Sequence, residues 1–147
     1  MRYVEAPNTI ETEISLFVAG GISNTSNWQK EFIDKLCHLD ITIYNPRRKN
    51  FSLDNPEVSL EQIKWEYDCL KKADMICFWF SKETICPITL FELGAHLKDD
   101  KPIFIGVDPL YSRKLDIEVQ VSLVRPSIEI INDLDILAEQ IINFLKY

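Results

Sequence analysis

Apolar residues along this chain fall into two alternating patterns. Short continuous runs occur at ISLFV (14–18), ITIY (41–44), MICFWF (75–80), PIFIGV (102–107) and IEII (128–131). Runs of that length between turn residues predict strands buried on both faces. Between them, apolar residues recur at helical spacing. Asn27 caps a predicted helix from Trp28 to about Leu39, with Phe32, Ile33 and Leu36 on one face. Leu60, Ile63, Tyr67 and Leu70 predict an amphipathic helix over 60–73, with Ile63, Tyr67 and Leu70 as its core face. Pro87 suits the first turn of a helix running to about Leu97, and Leu134 to Leu145 is a closing helix. NPRRKNFSLDNPEVS (45–59) reads as a long loop, and 108–127 fits either a short helix or an extended piece.

Strand and helix thus alternate about five times. The prediction is an α/β fold: a single doubly wound, flavodoxin-like parallel sheet of five strands in the order 2-1-3-4-5, with helices on both faces. The 147 residues make one domain, with 1–13 as an N-terminal extension. Ligands of such sheets bind beyond the carboxyl ends of the strands. That singles out the loops AGGISNTSN, NPRRKNF, SKETIC and VDPLYSRK.

Charge and cysteine usage narrow the function classes. A net charge of -7 argues against a general nucleic-acid surface, and no apolar run is long enough to span a bilayer. The first residues, MRYVEAPNTIETE, are polar and acidic, which is unlike a signal peptide, so a reducing cytoplasm is the expected compartment. Cys37, Cys69, Cys77 and Cys86 form no CxxC pair, and His38 and His96 are the only histidines, so no metal site is expected. Cys77 lies in an apolar run and reads as a buried thiol. Cys86, before Pro87, is expected in a loop open to exposure, and without an adjacent base it reads as inert.

Candidate chemistry starts at CPITLFELGAH (86–96), where Glu92 stands among Ile88, Leu90, Phe91, Leu93 and Ala95. A carboxylate in apolar surroundings is costly unless something offsets its desolvation. It is either a rim glutamate reaching water or a cation, or a group placed for chemistry. Gly20 and Gly21 after the first strand permit close approach of backbone amides to an anionic or sugar ligand, or simply make a turn. Arg47, Arg48 and Lys49 can hold a phosphate or carboxylate, or pair with surface acids. Asp68 lies beside the core face of its helix, stacked over Trp65, and Asp74 terminates that helix. Phe17, Phe51, Trp79 and Phe80 suit either nucleobase stacking or the core, with core preferred for Phe17.

Three segments taken together resemble the nucleoside 2-deoxyribosyltransferase family: LFVAGG (16–21), YDCLKKADMICFWF (67–80) and TLFELGAHLKDDKPIFIGV (89–107). The match spans about residues 14–107, and NPRRKNF suggests a particular subgroup. The resemblance implies a glutamate nucleophile, here Glu92. It would attack C1′ of a 2′-deoxynucleoside as the base leaves, and a second base would then displace it with net retention. It implies that Asp68 binds the sugar hydroxyls or orients the site, that Gly20 and Gly21 line it, and that no cofactor or metal takes part. Thr89 of the signature and Asn45, at the head of the basic loop, join Phe17, Arg47, Arg48, Phe51, Trp65 and Trp79 as candidate substrate-binding residues. The sequence departs from the family at Phe17, where the family has a tyrosine, and at Ile88, where it has a glycine. Glu83 is a loose candidate for the family's base-protonating aspartate. In better-known members a neighbouring subunit's C-terminal part closes the sugar site, and Asp116 and Gln120 are candidates for a comparable part. The expected partners are a 2′-deoxynucleoside, a free nucleobase and further copies of the chain. Alternatives are an N-glycoside hydrolase of nucleoside 5′-monophosphates, with Arg47 and Arg48 on the phosphate, a non-catalytic nucleotide-binding module, and an NAD glycohydrolase.

Overall fold

The computed structural model of the chain describes residues 1–8, 14–49 and 55–146. Among them, β1 (Arg2–Glu5), β2 (Ser15–Gly20), β3 (Thr42–Asn45), β4 (Met75–Phe80), β5 (Ile103–Val107) and β6 (Ile130–Ile131) form one parallel sheet in the order β1-β3-β2-β4-β5-β6. Without β1 the order is the expected flavodoxin-like one. The N-terminal segment contributes the sixth strand, paired in register from Arg2 against Thr42 to Glu5 against Asn45. RYVE gives little apolar signal because it is an edge strand with Val4 its one buried residue. Charged ends of this kind also protect an edge from further pairing.

Helices cover both faces. α1 (Trp28–Lys35) and α5 (Leu134–Phe144) pack on Leu16, Val18, Ile43, Cys77 and Trp79. α2 (Pro56–Lys72), α3 (Pro87–His96) and α4 (Lys114–Val124) pack on the opposite face, on Phe17, Ala19, Tyr44, Ile76, Phe78 and Ile105. The ambiguous stretch 108–127 therefore holds a helix, α4. Local signals account for several starts: Asn27 Oδ1 accepts from Lys30 N at 3.2 Å, and Asn55 Oδ1 from Glu57 N at 3.0 Å with Pro56 in the first turn.

The rotation of α2 differs from expectation. Its buried residues are Gln62, Trp65, Cys69 and Leu70, whereas Leu60, Ile63 and Tyr67 are 53%, 62% and 64% exposed. The apolar spacing marks an outer row on this helix, not its inner face. The inner face carries Gln62 and Glu66, polar side chains that hydrophobic periodicity passes over. Two ties hold α2 in place. Lys101 Nζ donates to the carbonyls of Leu70, Lys71 and Ala73 at 2.9, 3.0 and 2.8 Å, a cation at the helix C-terminus. Asp74 Oδ2 accepts from Ser15 N at 2.8 Å and Ser15 Oγ at 2.6 Å, joining the start of β2 to the α2–β4 junction.

Candidate active site

Glu92 sits in the second turn of α3, and its neighbours are of two kinds. Leu93 is buried in the core, while Ile88 and Phe91 are 63% and 76% exposed. Glu92 lies between these faces, on the side of α3 turned toward α2. Burial raises its carboxyl to about 8, and the charge of Glu66 on α2 pushes the same way. Glu66 is raised as well, by burial first, against the opposing effects of a hydrogen bond from Gln62 and the charge of Arg48. Gln62 Nε2 donates to Glu66 Oε1 at 2.7 Å and to the Pro46 carbonyl at 2.8 Å. The seam between α2 and α3 thus holds two poorly solvated carboxyls that resist ionising together, and one keeps a proton at neutral pH.

Glu66 and Gln62 are absent from the candidates drawn from the sequence. Asp68, two residues on, is exposed and turned about 200° round the helix from Glu66. The carboxylate whose charge acts on Glu92 is Glu66. The spacing Trp65, Cys69, Leu70 was the available signal, since it sets the inner face and places Glu66 beside it.

The loops above the seam are tied to each other. Arg47 Nε donates to Gln29 Oε1 at 2.9 Å, and its Nη2 reaches Thr25 Oγ1 at 2.6 Å and the carbonyls of Ile22 and Ser26 at 3.0 Å each. Burial lowers the Arg47 pKa, with the charge of Glu83 acting against it. This arginine braces the β2–α1 loop and does not present its Nε and Nη2 to a phosphate. Arg48 approaches Glu61 at 3.5 Å and acts on Glu66. Glu83 accepts from Ser26 Oγ at 2.9 Å; burial pushes its carboxyl up, but bonds from Ser26 and Ser81 outweigh that and hold it low. A carboxyl held low is a poor proton donor, which weakens Glu83 as an acid for the leaving base.

Gly20 and Gly21 are required for space. A Cβ on Gly20 would stand 2.2 Å from the Trp28 ring, and one on Gly21 would stand 2.9 Å from Cys86 Sγ. Neither has a positive φ. Cys86 does, at 52°, and is buried rather than open to solvent; burial raises its thiol, consistent with the inert reading.

The remaining candidates divide. Phe17 and Trp65 are buried on the Glu92 side of the sheet with ring centroids 6.1 Å apart, and Trp65 Nε1 donates to the Asn8 carbonyl at 2.8 Å. Thr89 is buried on α3. Asn45 is buried and structural: its Nδ2 donates to Tyr3 Oη at 2.9 Å and its Oδ1 accepts from Arg47 N at 3.0 Å. Trp79 belongs to the opposite face, packed against Trp28 at 6.4 Å, so it does not stack a base beside Glu92. Asp116 and Gln120 line a groove of about 280 Å³ between α3 and α4, with Leu90, Leu93 and Gly94. That side of α3 is about 150° round the helix from Glu92. Phe51 lies outside the described residues.

Among the described residues no group of three or more His, Cys, Asp or Glu side chains could hold a metal ion, and no helix is long and apolar enough to cross a membrane. The arrangement suits nucleophilic or acid–base chemistry by a desolvated carboxylate pair. The family described as Nucleoside 2-deoxyribosyltransferase like matches residues 13–111. No curated protein matches the chain. A crystal structure of a conserved protein from Enterococcus faecalis V583 shares the fold, with a TM-score of 0.61 and 16% identity over 90% of this chain and 99% of that one.

Proposed function

Because the chain belongs to the nucleoside 2-deoxyribosyltransferase-like family, we propose that it transfers 2-deoxyribose between nucleobases through a glycosyl ester on Glu92. A Glu92 carboxylate oxygen attacks C1′ of a 2′-deoxynucleoside. The glycosidic C–N bond breaks, and its electron pair leaves with the base, which takes up a proton. A second base then attacks C1′, the ester bond breaks back to carboxylate, and the acceptor nitrogen loses its proton. Two displacements at one carbon retain configuration. The observation that carries this reading is the placement of Glu92, partly buried on α3, within reach of the charge of Glu66 on α2. Desolvation strengthens attraction between an ionised carboxylate and the oxocarbenium-like centre, and water kept out favours transfer over hydrolysis.

The placement of Arg47 favours a nucleoside over the 5′-monophosphate of the hydrolase alternative, because its Nε and Nη2 bond to protein oxygens. We also place a second copy of the chain over the seam. Leu60, Ile63 and Tyr67 on α2 and Ile88 and Phe91 on α3 leave an apolar surface beside Glu92, of the kind that oligomer interfaces cover. A monomer by sedimentation with full activity would refute that assembly. A reducing cytoplasm is the compartment that suits the four free thiols. The function is tested by incubating the protein with 2′-deoxyinosine, with and without adenine. The expected product is 2′-deoxyadenosine, made by wild type and not by Glu92→Gln. Hypoxanthine released equally with or without adenine would indicate a hydrolase instead.

A further inference from the structure

Gln62 stands one helical turn from Glu66 and is 7% exposed. Its amide nitrogen donates to the Pro46 carbonyl and to Glu66 Oε1. Both neighbours are acceptors, so reversing the amide would set oxygen against oxygen twice. The orientation is therefore fixed, and Oε1 is buried with no hydrogen-bond partner among the described residues. An acceptor left so costs about 1–3 kcal/mol, and such a group asks for a ligand that completes it. Beside it Glu66 and Glu92 offer carboxyl oxygens, and the charge of Arg48 acts on Glu66. The Nε and Nη2 of Arg47 are engaged by protein oxygens in the β2–α1 loop and on α1.

We propose that Gln62 determines specificity: its Oε1 accepts a hydrogen bond from a sugar hydroxyl, selecting a nucleoside with that hydroxyl free over the corresponding phosphate ester. This rests on the nucleoside reading above and adds to it the residue that makes the choice. A hydroxyl supplies the donor that Oε1 lacks. A phosphate monoester, with its second pKa at about 6, presents mainly acceptor oxygens, which an amide oxygen cannot bond. Glu66 is held by the other end of the same amide, so a hydroxyl bonded to Oε1 would be positioned relative to the pair.

The test compares kcat/KM for 2′-deoxyinosine, 2′,3′-dideoxyinosine, 2′,5′-dideoxyinosine and the 3′- and 5′-monophosphates of 2′-deoxyinosine, with adenine as acceptor, on wild type, Gln62→Leu and Gln62→Met. Wild type should lose about ten- to hundred-fold when the recognised hydroxyl is deleted, the equivalent of one orphaned buried acceptor. In Gln62→Leu that penalty should shrink to about three-fold or less, whatever the overall fall in rate, because the coupling between residue and hydroxyl is gone. Gln62→Met keeps the length of the side chain, offers no oxygen and should shrink the penalty in the same way. A merely structural Gln62 would slow all substrates alike and leave the penalty unchanged in Gln62→Leu, overturning the proposal while the transferase reading stands. Equal use by wild type of the free nucleoside and of the monophosphate ester at the recognised hydroxyl would also overturn it. If wild type neither turns over 2′-deoxyinosine nor binds it by calorimetry, the transferase reading falls and this proposal with it.

Discussion

Replacing Glu92 with glutamine should abolish activity and stabilise the protein, by an amount that grows with pH. An unfolded chain ionises this carboxyl near 4.5, the folded chain near 8. Between those values the unfolded state has released a proton that the native state retains, so native stability falls as pH rises through that window. Below about 4.5 both states are protonated and nothing is lost; above about 8 both are ionised and the loss is complete. Linkage from these two values gives a destabilisation by Glu92 of about 1 kcal/mol at pH 5, about 3 at pH 7 and roughly 4 to 5 at pH 9. Glutamine has nearly the same shape and no charge to desolvate, so Glu92→Gln should recover most of that. For a chain of this size a gain of 3 kcal/mol corresponds to a Tm rise of roughly 6–12 °C. The assay is urea unfolding of both proteins at pH 5, 7 and 9, with m-values compared to confirm that the same transition is followed. A stability difference that is flat with pH would mean that Glu92 is solvated and would refute the reasoning. So would a mutant less stable than wild type at pH 9.

Further outcomes follow from the same contacts. Wild-type kcat/KM should rise with pH toward a plateau above about 8, because the nucleophile must be ionised, and Glu66→Gln should move that limb to lower pH by removing the facing charge; a limb unmoved in the pH–rate profile would separate the two carboxyls. Arg47→Met should destabilise the chain by about 2–4 kcal/mol in urea melts, since it strips donors from partly buried acceptors of the β2–α1 loop. Gly20→Ala should cost about 1–3 kcal/mol through collision with the Trp28 ring, whereas Gly94→Ala, with nothing within 4 Å of the added carbon, should gain roughly 0.5–1 kcal/mol of helix propensity; equal effects in thermal melts would contradict both.

The fold was legible where apolar runs are continuous. β2, β4 and β5 are buried along their length and announced themselves, and their parallel order follows from the alternation with helices. β1 was not legible because a four-residue edge strand needs only Val4 inside. Glu92 stood out because the seam of α3 is apolar around it. Its partner did not, because α2 reverses the usual logic: Leu60, Ile63 and Tyr67 mark the outside, and the face toward the site is partly polar. Reading that helix by its apolar row turns its inner face away from Gln62 and Glu66, and Asp68 lies about 120° from either face. Arg47 shows a second limit, since sequence locates a cation near a ligand loop but not the protein carbonyls that engage it.

In the proposed reaction Glu92 becomes bonded to the sugar. The most direct measurement is mass spectrometry of the protein quenched in acid during turnover of 2′-deoxyinosine without acceptor, followed by peptide mapping. The expected result is a mass gain equal to one 2-deoxyribosyl group, on the peptide that contains Glu92, absent in Glu92→Gln and lost when adenine is added before the quench. An unmodified protein that nevertheless exchanges bases, or a label on another residue, would contradict it.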